Sequence, residues 1–145
     1  MKFLLAPLRI FRGPIIRLRV VGESMSPTFC SGQYIWVNRL AYKMCRPKEG
    51  DVVVMRKKRG KKLLIKRVAA CGNSTVEQRW GRLFCNRERL GAVHMADVFM
   101  DNGEVQKKWQ VAPAHYFVLG DNPLYSTDSR DFGPVHSKNI LGKVI

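Results

Sequence analysis

Val52-Val53-Val54-Met55 and Lys62-Leu63-Leu64-Ile65-Lys66-Arg67-Val68-Ala69-Ala70, joined by Arg56-Lys57-Lys58-Arg59-Gly60-Lys61, decide the fold. The first run is short and continuously apolar, as a buried strand requires, and the turn chemistry of Lys48-Glu49-Gly50-Asp51 marks its start. The basic segment carries a glycine in its middle, so the two runs read as a hairpin with a solvated tip. Upstream, residues 15–21 are β-branched with partial alternation and lead into a glycine turn, and Tyr34-Ile35-Trp36-Val37-Asn38 is again rich in strand formers. Downstream, residues 75–79 and 82–85 flank a turn near Trp80-Gly81. His115-Tyr116-Phe117-Val118-Leu119 is a last clear central strand, and residues 140–145 close the structure. Residues 90–112 hold no strong period around the turn signal Asp101-Asn102-Gly103 and read as an insertion or cap. Short strands with turns about every 8 to 12 residues and no long helical period predict a mainly β chain, its coiled antiparallel sheets forming a partly closed barrel.

At 145 residues the chain reads as one globular unit: a basic, apolar N-terminal segment over 1–20 and a main domain over 21–145. Twenty-six Lys and Arg against 11 Asp and Glu give a net charge of +15, which predicts attraction to nucleic acid or to an anionic membrane face. A nucleic-acid groove would interleave aromatics with its charges, and none lies between Val52 and Val76. The chain has no run of 18 apolar residues; Phe3-Leu4-Leu5-Ala6-Pro7-Leu8 stops at Arg9, too short for a span or a secretory signal. Residues 2–20 fit either a strip lying on a membrane surface or an ordinary first strand. Cys30, Cys45, Cys71 and Cys85 contain no C-x-x-C pair, which argues against a metal site. Disulfides, with Cys71 and Cys85 flanking a hairpin, and four buried free thiols fit the spacing equally.

The chemistry centres on Gly22-Glu23-Ser24-Met25-Ser26-Pro27-Thr28, a serine on a short turn. A hydroxyl is a poor nucleophile at neutral pH, so Ser24 needs a base from elsewhere. His94, His115 and His136 lie in segments that nothing ties to it. Lys66 is the better candidate, because strand alternation places it on one face with Leu64 and Val68, and burial lowers a lysine's pKa until the neutral amine can accept a proton. A third signal is Gly120-Asp121-Asn122-Pro123-Leu124-Tyr125-Ser126-Thr127-Asp128-Ser129-Arg130-Asp131-Phe132-Gly133, dense in short hydrogen-bonding side chains with an Asp128–Arg130 pair to hold the loop rigid.

In this order, Glu23-Ser24-Met25-Ser26-Pro27-Thr28, Lys66-Arg67-Val68, Gly120-Asp121-Asn122 and Ser126-Thr127-Asp128-Ser129-Arg130 resemble the motifs of the signal peptidase I family. Cys71-Gly72-Asn73 and Leu83-Phe84-Cys85-Asn86 match its turn and hairpin less strictly, and the resemblance covers roughly residues 18–89 and 115–144. It implies the barrel-like signal peptidase fold and a serine endopeptidase, without cofactor or metal, that removes signal peptides after small residues. Ser24 would be the nucleophile, its backbone N–H an oxyanion donor, and Lys66 the general base. Ser126 would orient the lysine, and Asp128, Arg130, Asp121 and Asn122 would support the site. The implied partners are precursor proteins and a membrane surface, not a specific nucleic acid, with the catalytic domain on the trans side (extracytoplasmic or intermembrane). Two departures stand out: Gly22 occupies a position where many members carry a second serine, and no N-terminal span matches the family's anchor. Glu23 resembles the mitochondrial inner-membrane members; Asp101-Asn102-Gly103, Trp109 and Phe132-Gly133-Pro134-Val135 resemble those of conjugative transfer. The competing readings are a self-cleaving repressor-type Ser-Lys peptidase and a non-catalytic basic module binding membrane or nucleic acid.

Overall fold

The structure, a computed structural model, describes residues 13–57, 62–79, 81–90 and 105–145. Residues 1–12 of the N-terminal strip, most of the basic tip, Trp80, His94 and Asp101-Asn102-Gly103 lie outside the described residues. The described strands are β1 (Ile15–Arg19), β2 (Tyr34–Asn38), β3 (Val52–Arg56), β4 (Leu63–Cys71), β5 (Ser74–Arg79), β6 (Arg82–Cys85), β7 (Glu88–Arg89), β8 (Val105–Val111), β9 (His115–Leu119), β10 (Val135–His136) and β11 (Ile140–Val144), with one short helix, α1 (Ser129–Phe132). Their positions match the strand readings at β2 and β9 to the residue. Seven form a curled antiparallel sheet in the order β1-β2-β11-β3-β4-β9-β10, and four form a smaller sheet, β7-β6-β5-β8.

The hairpin β3–β4 lies at the centre of the large sheet because its side chains are apolar on both faces. Val54 and Ile65 join Leu18, Val20, Met25, Ile35 and Val37 in one core cluster. Val53, Met55 and Val68 join Tyr116, Val118 and Val135 in another. Register pairs Val53 with Lys66 and Met55 with Leu64, so Lys66 projects to the second face, as alternation requires. Between Val68 and Ala70 the pairing with β9 shifts by one residue, a β-bulge.

Part of the span read as an insertion is a strand. β8 pairs with β5 over Ser74↔Val111 to Glu77↔Lys108, and Val111 and Trp109 pack with Val76, Leu83, Ala70, Phe117 and Leu119. The rings of Trp109 and Phe117 lie 5.1 Å apart. β8 is an edge strand whose other side chains, Gln106, Lys107, Lys108 and Gln110, are exposed, so its apolar signal is too thin to read as a period. The four cysteines are free, and Cys30 and Cys45 are exposed rather than buried.

Candidate active site

Ser24 sits in the turn that follows β1. Gly22 has φ 94, a left-handed backbone in which any side chain is strained, so glycine there is a conformational requirement. The turn is closed by Val20 N–H to Gln33 O and Gly32 N–H to Val20 O, both 2.8 Å, and by Ser26 N–H to Glu23 O at 3.1 Å. The Ser26-Pro27 peptide is cis. Met25 is fully buried in the core beside Ile35 and Val37, which pins the turn from below and leaves Ser24 4% exposed. Asn122 N–H donates to the Ser24 carbonyl at 3.0 Å, tying this turn to the loop after β9.

Lys66 reaches the same point from β4, and its Nζ lies 2.8 Å from Ser24 Oγ. The residue has no exposed surface. Burial pushes its pKa down to about 8; Asp128 and Asp121 pull it upward and Arg130 opposes them, but desolvation prevails. The carboxylates have little hold on Lys66 because arginines already occupy them. Asp121 makes a two-point bond with Arg67, Nε to Oδ1 at 2.9 Å and Nη2 to Oδ2 at 2.7 Å. Asp128, itself fully buried, takes both Nε and Nη2 of Arg130 at 2.8 Å.

Asp128 also organises the loop. Its Oδ2 accepts from Gly120 N–H at 3.0 Å and from the Ser126 hydroxyl at 2.7 Å, and its own N–H donates to Asp131 in a capping box that starts α1. Burial pushes the Asp128 carboxyl up, but the Arg130 guanidinium and these donors hold it below the usual carboxylate range. The Ser126 hydroxyl thus donates to a carboxylate instead of meeting the lysine amine, whose hydrogen-bond partner is Ser24.

Three further residues build the site without having been singled out in the sequence. Arg67, next to Lys66 but on the opposite face, clasps Asp121 and also donates to Gly50 O at 2.9 Å. The buried Ser129 accepts from Val118 N–H at 2.9 Å and seats α1 on β9. Gly120 follows Leu119, the last paired residue of β9; a Cβ there would strike the Ser126 hydroxyl and the Ser24 carbonyl. Their signals were a charged residue beside a buried one and a glycine ending a strand. His115 and His136 pair with each other across β9 and β10, rings 4.9 Å apart, rather than with Ser24. Among the described residues no group of three His, Cys, Asp or Glu has metal-binding geometry.

Comparison with known proteins agrees with the geometry. The family described as "Signal peptidase, peptidase S26" matches residues 3–145. Signal peptidase I V of Bacillus subtilis is 32% identical over 140 residues, 89% of this chain and 83% of that protein. Signal peptidase I of Bacillus caldolyticus is 32% identical over 138 residues, covering 86% and 74%. A signal peptidase I crystal structure from Enterococcus faecalis superposes with a TM-score of 0.54 at 26% identity, over 69% of this chain and 97% of that one. With nearly its whole length matched, the chain belongs to the signal peptidase family, peptidase S26, a family of serine endopeptidases that cleave signal peptides.

Proposed function

We propose that the protein cleaves precursor proteins after small residues with a Ser24–Lys66 dyad. The observation that carries this reading is the 2.8 Å contact between Ser24 Oγ and the amine of a fully buried lysine. At pH 7 a pKa of about 8 leaves roughly one amine in ten neutral, against roughly one in three thousand at the ordinary lysine value. The neutral amine takes the Ser24 proton as Oγ attacks the scissile carbonyl. The oxyanion then meets the Ser24 backbone N–H, which has no acceptor among the described residues. The ammonium returns its proton to the leaving amine, an acyl-enzyme remains, and water activated by the same amine releases the product and restores Ser24.

Ser126 acts through Asp128: its hydroxyl helps fix the loop that packs Gly120 against the dyad. Asp121 ties that loop to β4 through Arg67 and Asn122 ties it to the Ser24 turn, while Asp128 and Arg130 brace it from within. The family is membrane-associated, and no helix of the described residues is long and apolar enough to cross a membrane. We place the catalytic domain on the trans face, where signal peptides emerge.

The test is cleavage of a precursor with an alanine-type site, in detergent and in liposomes. Ser24→Ala and Lys66→Ala each lower turnover by at least about 10³ while the thermal transition persists. Wild-type turnover by folded Lys66→Ala would sink the dyad.

A further inference from the structure

A cavity of about 540 Å³ opens where the start of β1, the turn after β2, the end of β3 and the segment entering β11 meet. Arg39, Lys43, Arg56 and Lys138 line it, and among the described residues no carboxylate does. Elsewhere Arg67, Arg79, Lys108, Arg130 and Lys143 are paired with acids. None of the four cavity cations makes a side-chain hydrogen bond or ion pair with a described residue. All four are exposed, so packing does not require cations there. Four like charges around one space repel one another in the free protein, and an anion entering that space relieves the repulsion.

The same turn supplies a second kind of contact. Leu40, between Arg39 and Lys43 and lining the cavity, is 44% exposed, and Met44 next to Lys43 is 100% exposed. A small free anion would use the cations alone. A single-stranded nucleic acid would call for aromatic side chains, and none of the described lining residues is aromatic. Cations with unpartnered apolar neighbours match a ligand that joins phosphate to hydrocarbon. We propose that this cavity binds the phosphate of an anionic phospholipid headgroup, with Leu40 and Met44 at the hydrocarbon boundary. None of these residues belongs to the Ser24–Lys66 site, so the assignment stands apart from the dyad.

Cosedimentation of the full chain with phosphatidylcholine vesicles, with and without phosphatidylglycerol, tests this. Each basic residue near an anionic surface strengthens binding about fivefold, so the triple variant R39Q/K43Q/K138Q binds phosphatidylglycerol vesicles about 100-fold more weakly. A triple of equal charge at exposed positions outside the cavity, K48Q/R87Q/K107Q, loses less than about threefold. Equal losses in the two triples, or retained binding in the first, would overturn the site. Leu40→Ser with Met44→Ser weakens vesicle binding and leaves inorganic phosphate binding unchanged; complete displacement of vesicles by equimolar inorganic phosphate would overturn the lipid assignment. So would a first triple that loses duplex DNA but keeps vesicles. Both triples cleave a soluble peptide at the wild-type rate.

Discussion

Lys66 and Lys138 are the same side chain put to opposite uses. Lys66 has no contact with solvent, touches a serine hydroxyl, and has lost much of its affinity for a proton. Lys138 lies in water at the rim of a cavity shared with Arg39, Lys43 and Arg56. What separates the two settings is the supply of water and the disposal of nearby acids. Around Lys66 the carboxylates are present but spent, Asp121 on Arg67 and Asp128 on Arg130, so desolvation acts on an amine without a counter-ion. A buried cation near an unpaired carboxylate would simply form an ion pair and stay protonated. Under the proposed mechanism the two arginines therefore contribute by engaging acids that would otherwise pair with the lysine. At the cavity no described acid is present to be neutralised, and the charge remains available as an external field.

The largest effect that sharpens this contrast is on stability. With a folded pKa of about 8 and an unfolded value near 10.5, the unfolded chain binds more protons between those values, so Lys66 weakens the fold fully below pH 8. That penalty fades as pH rises toward 10.5. Lys66→Met accordingly raises unfolding free energy by about 3 kcal/mol at pH 6, with the gain shrinking between pH 8 and 10.5. Lys138→Met, in water, changes it by less than about 0.5 kcal/mol. Denaturant melts at several pH values read both; equal effects would erase the distinction drawn between the two lysines.

Gly120→Ala attacks the contrast from the other side, by disturbing the dry corner without touching a charge. Its Cβ would collide with Ser126 and with the Ser24 carbonyl, and one of those neighbours must move. Misplacement by about 1 Å costs about 10² in rate, so kcat falls by that order while the chain still folds. Near-normal turnover would mean that the loop yields without moving Ser24.

The legible parts of this molecule are those in which one segment carries its own period. β2, β4 and β9 announce themselves through β-branched and aromatic runs, and alternation along β4 is enough to assign Lys66 to the face of Leu64 and Val68. Ser24 and Lys66 pair in the sequence only because three motifs stand in a family's order; a serine turn and a strand lysine are each weak signals alone. β8 was hidden because an edge strand with two inward side chains has almost no pattern. Resemblance alone places Ser126 as an orienting acceptor for the lysine, and that its hydroxyl donates to Asp128 depends on how the loop folds. Gly120 and Arg67 owe their importance to neighbours across strands, and the basic cavity is assembled from four separate segments. Such features belong to tertiary geometry, and the sequence marks the residues without showing which neighbours they meet.

The smallest expected effect tests whether acids near Lys66 are silenced rather than absent. Asp121 still pulls the Lys66 pKa upward through space despite its bond to Arg67. Asp121→Asn removes that attraction and leaves the Arg67 charge uncompensated beside the amine. Both changes disfavour the ammonium, so the sign is unambiguous: the Lys66 pKa falls below about 8. Because only the neutral amine acts as base, the acid limb of kcat/KM moves to lower pH, and the rate at pH 6 rises relative to the plateau by a few-fold. The plateau itself falls if the loop loosens, which separates a positioning effect from an electrostatic one. A limb that moved to higher pH would show that the variant had let water reach Lys66, and that the Arg67–Asp121 clasp matters chiefly for keeping the corner closed.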